Sequence, residues 1–514
     1  MIDQAIPGEH PATVDDVGPG GKTVQQYIDE TPAWEDGTPV AMTPMTRMQW
    51  LIWGLAAAGK FFEGMVVFMT GVALPLLSKQ WGLGDFEHGL VAAASLFGIL
   101  IGATMLGGLS DQFGRKRMFI IEMVLFTIFL VLTCVSPNFT WFVICLLGLG
   151  IALGCDYPTA HVVISEAIPS GARGRLVLSA FGFQAVGALF GTFAGYLILV
   201  NHPELDAWRW MYAAAIAPAV LVVIGRFFIT ESVHWLFAKG RVKEAEAEAA
   251  RLLRRNPPYP SKIKLKKKKV PKAGVPTRKP ETHYGVLFNK QNRRATILAS
   301  VPWFLQDLGT YGIGIFTPTI LAAAVGHKKD HATSIADIVH NDLLAAHGAA
   351  TIDVLLIIGI IVAVLLADRA GRIKLQIIGF IGCAAGLAIA AMSTFFTGPS
   401  SIFLIFIGFM LFNFMTNMGP NAQTYLIAGE VFPIEVRGKG AGFAASFAKI
   451  GAVMTAFLFP ILLVDVGTQA LLFGLVITSL IGAWVTWQFR IETAGKNLEE
   501  LDAEIDSEYA HAPA

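Results

Sequence analysis

Five ionisable residues stand out inside long apolar stretches of the sequence, where charged side chains are rare. They are Lys60, Glu63, Asp156, Asp307 and Lys449. An Asp or Lys at the centre of a bilayer costs about 2.5 to 3.5 kcal/mol on insertion scales, so each of these groups needs a protein partner or a function. Carboxylates and ammonium groups in such positions are suited to binding anions and to carrying protons.

Two of these acids come with ring side chains at spacings that favour a binding site. Trp303, Asp307 and Tyr311 are four residues apart, which places them on one helical stripe that can line a cavity. Asp156 and Tyr157 precede a proline, which frees a backbone carbonyl and can bend a helix near a site. For Asp156, a local hydrogen bond at the bend is the alternative.

Lys449 and Asp307 together suggest how a solute and a proton would be coupled. Lys449 would supply a fixed positive charge for a small oxyanion, surrounded by hydrogen-bond donors. Asp307 beside that anion would favour its protonated form, because a like charge and a low dielectric both oppose ionisation. The alternative for Lys449 is an ion pair with a carboxylate that holds helices together.

The acid of the first apolar stretch, Glu63, has two interpretations. It could relay protons to Asp156, but Lys60 precedes it by three residues and is within reach on a helix. A structural Lys60–Glu63 pair is therefore the alternative. His161, one turn after Tyr157, could join a proton path, although a lone histidine is more often a packing residue.

The composition requires that membrane helices position these side chains. The chain is 54% apolar and 15% charged, with a mean hydropathy of +0.58, whereas soluble proteins are roughly half apolar and about a quarter charged. Apolar blocks of about 20 residues match the roughly 30 Å of hydrocarbon that a helix must cross. The blocks are 49–77, 88–109, 118–136, 139–164, 176–200, 209–229, 296–323, 348–366, 375–393, 401–425, 441–464 and 469–489. Because lipid offers backbone amides no partner, each block must be helical, which predicts an all-α polytopic membrane protein of twelve transmembrane helices.

The blocks divide the chain into two bundles and three polar segments. We predict six-helix bundles at 47–229 and 296–489, tails at 1–46 and 490–514, and a solvated basic linker at 230–295. Lys and Arg concentrate in four loops on the side of this linker, so the linker and both termini are expected in the cytoplasm. The location would be the plasma membrane or a bacterial inner membrane.

The composition also excludes several classes of function. A formal net charge of +1 gives no basis for binding nucleic acid. The cysteines are irregularly spaced and lack a CxxC pair, so we interpret them as packing residues and expect no metal or cofactor; they are Cys134, Cys145, Cys155 and Cys383. No HExxH, GxSxG or P-loop is present, so an enzyme is not expected.

Two loop motifs occur once in each half of the sequence. The first motif places Gly107, Asp111, Gly114 and Arg115 in GGLSDQFGRKR, and 257 residues later Asp368, Gly371 and Arg372 in ADRAGRIK. The second places Glu166 and Arg173 in EAIPSGARG, and 264 residues later Glu430 and Arg437 in EVFPIEVRG. The tight first loop needs glycine, and its Asp and Arg can pair across helix ends. Six spans is an even number, so the halves are parallel repeats that would rock around a central site.

The first loop motif resembles the signature of the major facilitator superfamily, which implies that fold and a gating role for the loops. TESVHWLFAKGR at 230–241 and IETAGKNLEEL at 491–501 are similar to motifs of its sugar-porter branch, without their prolines. GCDYPTAHVVISE, WFLQDLGTYG and GPNAQTYLIAGEVFP resemble signatures of its phosphate:proton symporter family.

The second resemblance implies a site and a proton route. The matching positions are Glu63, Asp156, Tyr157, Gln184, Trp303, Asp307, Tyr311, Asn421 and Lys449. Glu63, Asp156 and Asp307 would carry protons, and the others, with Asp307, would bind solute. The chain departs from that family in the first span, where KFFEGMV has one acid in place of two, and after the DYP of span four.

These observations predict a proton-coupled symporter that works by alternating access, with inorganic phosphate or another small oxyanion as the favoured solute. A sugar, polyol or carboxylic-acid transporter is the alternative, and a transporter-like nutrient sensor is a different class of function. The expected partners are the solute, protons and the lipid bilayer, and the protein is expected to act as a monomer.

Overall fold

The computed structural model describes residues 22–31, 43–106, 109–254, 284–325, 335–433 and 436–493. These residues form eighteen α-helices, joined by short 3-10 and π turns. In chain order the helices are α1 (Val24–Asp29), α2 (Arg47–Trp81), α3 (Asp85–Ile101), α4 (Leu109–Phe113), α5 (Arg115–Cys134), α6 (Phe139–Ala167), α7 (Ser170–Asn201), α8 (Ala207–Ala214), α9 (Ile216–Phe228), α10 (Val233–Ala238), α11 (Val242–Leu252), α12 (Arg293–Val325), α13 (Ile335–Ala370), α14 (Arg372–Met392), α15 (Pro399–Met418), α16 (Pro420–Glu430), α17 (Arg437–Asp465) and α18 (Gly467–Gln488). Every predicted apolar block corresponds to one helix or to two consecutive helices, and the all-α membrane fold is confirmed.

Eleven membrane spans within the described residues are long and apolar enough to cross a bilayer. The seventh predicted span, α12, is not among them, although its 33 residues pack against helices of both halves. Its sequence carries Gln306, Asp307 and Thr310, which lower its hydropathy, and all three side chains are buried. A span that faces protein on most sides does not need the apolar surface that lipid demands.

The tenth predicted span is broken into two helices. Helix α15 ends at Met418, and α16 begins at Pro420, after Gly419 adopts φ −108° and ψ −104°. Proline suits the first turn of a helix because its missing N–H would have no partner there. The break places Asn421 in the first turn of α16 rather than in the middle of one span.

The most extensive contacts between the two halves include three helix pairs: α2 with α12, α7 with α13, and α3 with α17. Helices α2 and α12 approach closely at Gly71, where an added Cβ would lie 2.2 Å from the carbonyl oxygen of Ile315. Gly71 lies far from the loops that carry the repeated motifs. We call the end of the bundle with Arg115 and Arg372 the motif end, and the other the far end.

Parts of the predicted tail and linker are folded against the N-terminal bundle. Val24, Tyr27 and Ile28 of α1 are buried in one apolar cluster with residues of α11, and Thr46 donates a hydrogen bond to the carbonyl oxygen of Leu252 at 2.7 Å. The expectation of a purely solvated linker is therefore wrong for α10 and α11. The reason is that α11 has an apolar face, which includes Ala245 and covers the motif end of the bundle. The lysine run of the linker lies outside the described residues.

Candidate functional site

A charged and polar cluster lies at the centre of the molecule, between the two halves. Its side chains come from α2 and α7 of the first half and from α12 and α17 of the second. The members are Lys60, Glu63, Gln184, Asp307, Tyr311 and Lys449. We call this group the central cluster.

Glu63 is the most highly connected member of the central cluster. Its Oε2 lies 2.7 Å from Lys60 Nζ, which is the local pair that the spacing of the two residues allowed. Its Oε1 accepts hydrogen bonds from Tyr311 at 3.1 Å and from Gln184 at 3.4 Å, and lies 3.4 Å from Lys449 Nζ. Glu63 is 3% exposed. Glu63 therefore joins the first helix of one half to two helices of the other.

Lys449 is held by groups from both halves. Its ammonium donates to the Tyr311 hydroxyl at 2.6 Å and lies 3.4 Å from Asp307 Oδ2, in addition to its contact with Glu63. In this conformation Lys449 thus forms ion pairs with carboxylates, which was the alternative to binding an oxyanion. Two ammonium groups and two carboxylates balance one another in the cluster, as buried charges require. In this conformation the Lys449 ammonium is engaged by protein rather than free for an oxyanion.

Close packing of α2 on α7 brings Gln184 next to Glu63. A Cβ added at Gly64 would lie 2.0 Å from the backbone carbonyl oxygen of Gln184, so only glycine allows this separation. The Gln184 amide then reaches both Glu63 and the Tyr311 hydroxyl, the latter at 3.1 Å. Gln184 is therefore linked to Lys449 through the Tyr311 hydroxyl, to which both donate.

A second buried ionic group lies inside the first half, and Asp156 belongs to it. Asp156 Oδ1 lies 2.6 Å from the guanidinium of Arg226, which is fully buried. Arg226 also donates to the carbonyl oxygen of Phe119 at 2.5 Å. Glu122 interacts electrostatically with Asp156 and Arg226, and it accepts a hydrogen bond from Thr159 at 2.8 Å. We call Glu122, Asp156, Thr159 and Arg226 the N-half cluster.

The N-half cluster shows where Asp156 is paired and adds two residues. Asp156 is paired with Arg226 of α9, whereas the described hydrogen bonds and ion pairs of Glu63 go to the central cluster. The two carboxylates still interact electrostatically, and a proton relay from Glu63 to Asp156 stays a prediction. Sequence reasoning missed Glu122 and Arg226, although both lie inside predicted apolar blocks. A charged residue inside an apolar block was the feature of the sequence that could have identified both.

Trp303, another predicted binding residue, lies at the motif-end side of the central cluster. Trp303 is 3% exposed and packs edge to face on Tyr425, with ring centroids 6.1 Å apart. Tyr425, which sequence reasoning also missed, stacks on Phe181 of the other half at 4.5 Å and contacts the His161 ring at 5.8 Å. These rings form an aromatic layer between the halves.

Asn421, a further predicted binding residue, lies outside the observed cluster. Asn421 donates to Asn417 at 2.6 Å, within the broken tenth span. Its side chain is therefore engaged by its own half rather than by Lys449. The side chain of Tyr157 lies outside the described residues.

The first-half loop motif forms a hydrogen-bonded network at the motif end. Gly114 has φ +105°, a conformation that favours glycine, and an added Cβ there would lie 2.7 Å from Glu231 Oε2. Glu231 accepts the backbone N–H of Lys116 at 3.0 Å, so its carboxylate caps the first turn of α5. Arg115 pairs with Glu166 at 3.3 Å, and Glu166 also accepts from the hydroxyl of Ser232.

The second half repeats this network. Gly371 has φ +88°, and Glu492 accepts the N–H groups of Arg372 and Ile373 at 3.0 and 3.1 Å. Arg372 pairs with Glu430 at 2.8 Å, and Thr493 donates to Glu430 at 2.6 Å. Each arginine of the first motif thus pairs with the glutamate of the second motif.

The other residues of the repeated motifs are placed as follows. Arg173 donates to Gln25 of α1 at 3.1 Å. Gly107 lies outside the described residues. The expectation that Asp111 and Asp368 pair with arginines falls on side chains outside the described part, as does the expected gating role of Arg437. Within the described part, Glu166 and Glu430 are the observed partners of the loop arginines.

Among the described residues, no group of three or more His, Cys, Asp or Glu side chains could hold a metal ion.

Comparisons with known proteins connect the chain to a family of transporters. The model of the family described as "Sugar (and other) transporter" matches residues 56–505. The chain is 28% identical to the putative metabolite transport protein YaaU of Escherichia coli (strain K12), over 88% of this chain and 93% of YaaU. It is 27% identical to the glucose transporter GlcP of Staphylococcus epidermidis, over 90% of this chain and 98% of GlcP.

A solved structure shows the same fold. The xylose transporter XylE from E. coli, in a partially occluded inward open conformation, superposes with a TM-score of 0.69 at 20% identity and covers 88% of this chain and 100% of XylE. The resemblance to the phosphate:proton symporter family receives less support. A probable inorganic phosphate transporter of rice is 27% identical over 89% of this chain, but it follows metabolite and sugar transporters among the relatives.

Proposed function

Because the chain belongs to the sugar (and other) transporter family, we propose that it carries a small polar metabolite, in the first place a sugar or polyol, together with protons. The halves would alternate around the central cluster, with the motif end in the cytoplasm. The family consists of transport proteins, in agreement with the expectation that the chain is not an enzyme.

The observation that carries this proposal is the bond network through which Glu63, Tyr311 and Lys449 join the two halves. To expose the site to either side, the halves must separate at some of these contacts. Ion pairs in a medium of low dielectric are strong, so separating them requires either a competing ligand or a change of charge. A bound solute would be the competing ligand, and a bound proton would change the charge.

Asp307 is the member of the central cluster best placed to receive the proton. Glu63 accepts from four donors, whereas the only ion pair of Asp307 in the central cluster is with Lys449, at 3.4 Å. Protonation of Asp307 would therefore cost fewer interactions than protonation of Glu63. It would also release Lys449 from one of its two carboxylates. Asp156, with Glu122 beside it, offers a second place for a proton inside the first half.

The balanced charge of the central cluster favours an uncharged solute. A sugar or polyol brings hydroxyl groups that both donate and accept hydrogen bonds, and it leaves no uncompensated charge in the bilayer. Gln184 and Tyr311 could exchange bonds within the cluster for bonds to such a solute. The names of relatives point the same way, since they include a glucose transporter and a D-xylose transporter.

A small anion, such as a carboxylate or phosphate, is the second candidate. The observation in its favour is that two ammonium groups, Lys60 and Lys449, lie in the central cluster. If Asp307 takes up a proton, the cluster gains one net positive charge and can accept a monoanion. The proton and the anion would then enter as a neutral pair.

Uptake into proteoliposomes under an imposed pH gradient tests both candidates. Purified protein would be assayed with radiolabelled glucose, xylose, inositol, benzoate and phosphate, with a protonophore as the control. We expect accumulation of a sugar or polyol that the protonophore abolishes. Accumulation of phosphate or benzoate with no uptake of the neutral solutes would favour the second candidate. Uptake that is the same with and without the pH gradient would contradict proton coupling.

A further inference from the structure

A further buried acid lies on the seam between α7 of the first half and α13 of the second. Asp353, in α13, is 3% exposed. Its Oδ2 lies 3.1 Å from the Thr192 hydroxyl of α7, within hydrogen-bond distance, and its Oδ1 accepts a hydrogen bond from the Asn413 amide of α15 at 3.2 Å. Thr192 comes eight residues after Gln184, so the site lies about 12 Å from the level of Gln184 toward the far end.

The described partners of Asp353 are neutral, which distinguishes it from Glu63, Asp156 and Asp307. Glu63, Asp156 and Asp307 each contact a lysine or an arginine. Within the described part of the chain, the hydrogen bonds of Asp353 go to a hydroxyl and an amide only. A buried carboxylate without a cation is costly, and such a group avoids the cost by binding a proton.

The hydrogen bonds fit a neutral carboxyl group completely. Thr192 Oγ1 lies 3.1 Å from the backbone carbonyl of Ala188, to which it can donate its single proton. Its lone pair can then accept the O–H of a protonated Asp353, while the other carboxyl oxygen accepts from the Asn413 amide. In this arrangement the Thr192 hydroxyl proton and the carboxyl proton both have acceptors, and no charge remains.

Within the described residues, none of the titratable groups near the seam forms a hydrogen bond or ion pair with Asp353. Helix α15 carries none. On α7 and α13, Tyr196 stacks on His347 at 5.1 Å, and Asp342 lies eleven residues before Asp353 on α13. The titratable groups of α2 and α12 in the middle of the bundle belong to the central cluster and bond to one another; they are Lys60, Glu63, Asp307 and Tyr311. No described ion pair involves Asp353.

We propose that Asp353 is a proton-binding site of the seam, occupied while α7 and α13 are in contact and emptied when they separate. Separation would expose the carboxyl group to water, where its ionised form is solvated. A proton taken from one side would then stabilise closure of the far end. This inference rests on alternating access from the proposed function, but not on the identity of the solute.

Infrared difference spectroscopy of the full-length protein, reconstituted without solute, tests the proton directly. We expect the wild type at neutral pH to show one carboxylic-acid C=O band that Asp353→Asn lacks. The control Asp206→Asn removes an exposed acid and should remove a carboxylate band instead. If Asp353→Asn also loses only carboxylate absorption, Asp353 is ionised and the proposal is overturned.

A second variant keeps the site testable if Asp353→Asn folds poorly. Thr192→Val removes the acceptor of the carboxyl proton and should shift the same C=O band to higher wavenumber, whereas Thr192→Ser should leave it in place. An unchanged band in Thr192→Val would contradict the proposed bond.

Movement of the seam is measured with nitroxide labels at Val200→Cys and Leu344→Cys, in a protein whose four cysteines are replaced. Both positions are on exposed faces of α7 and α13. We expect the distance between the labels to increase from acid to alkaline pH, and Asp353→Asn to hold the short distance throughout. A variant that follows the wild-type pH dependence would overturn the coupling. Because no solute is present, failure of the sugar assignment would leave these results unaffected.

Discussion

Lys449 Nζ lies 3.4 Å from Glu63 Oε1, and this ion pair joins the penultimate span of the second half to the first span of the first half. The two residues are 386 positions apart in the sequence. Tyr311 lies between them, since its hydroxyl accepts from Lys449 and donates to Glu63. The relationship makes the solute site and the contact between the halves one structure, so changes to either should affect both.

Removal of the Lys449 ammonium should impair both stability and transport. Lys449→Ala leaves Glu63 and Asp307 buried with one cation fewer, and breaking a buried pair from one side costs about 3 to 5 kcal/mol. We expect a lower melting temperature in detergent and loss of uptake, whereas Lys449→Arg should retain most of the stability. A melting temperature unchanged in Lys449→Ala would mean that the pair does not hold the halves together.

Asp307→Asn should separate proton-driven accumulation from exchange. The amide cannot take up the proton, but it can still accept a hydrogen bond from Lys449. We expect loss of accumulation under a pH gradient, while counterflow of labelled against unlabelled solute, which needs no net proton movement, continues. Accumulation at the wild-type level would remove Asp307 from the proton path.

Arg226→Gln should destabilise the N-terminal half strongly. The variant leaves Asp156 and Glu122 buried without their arginine, at a cost of about 3 to 5 kcal/mol. Thermal unfolding should show this loss, and the double variant Arg226→Gln/Asp156→Asn should recover part of it. If the double variant is no more stable than Arg226→Gln, the arginine acts through packing on Phe119 rather than through its charge.

Gly71→Ala should favour conformations that are open at the far end. The added Cβ would lie 2.2 Å from the carbonyl oxygen of Ile315, so α2 and α12 would have to move apart. Accessibility of a cysteine placed on that seam to a membrane-impermeant reagent should increase. Gly474→Ala, where nothing lies within 4 Å of the added atom, is the matched control and should behave as wild type.

The helical content and the ionic residues of the centre could be predicted because lipid imposes strong rules on both. A charge inside an apolar block stands out, and its rarity singled out Lys60, Glu63, Asp307 and Lys449 before any contact was known. The helical spacing also anticipated that Asp307 and Tyr311 share a face, and both contact Lys449.

The partners of those charges could not be predicted, because they depend on which helices become neighbours. Asp156 was expected to communicate with Glu63, but α9 places Arg226 against it. Asp353 also lies inside a predicted apolar block, like the other acids, but it was overlooked. Its environment depends on Thr192, which is 161 residues away in the sequence. The loop arginines pair with glutamates of the second motif. The two sequence motifs alone did not show which acid would be the partner of each arginine.

The duplicated networks at the motif end have a mechanical consequence. Arg115 and Glu166 both belong to the first half, and Arg372 and Glu430 both belong to the second. Each pair therefore stiffens its own bundle, and the bundles can tilt as rigid bodies without breaking either pair. The free-energy barrier to the tilt would then be concentrated where side chains cross between the bundles, around Glu63 and Asp353.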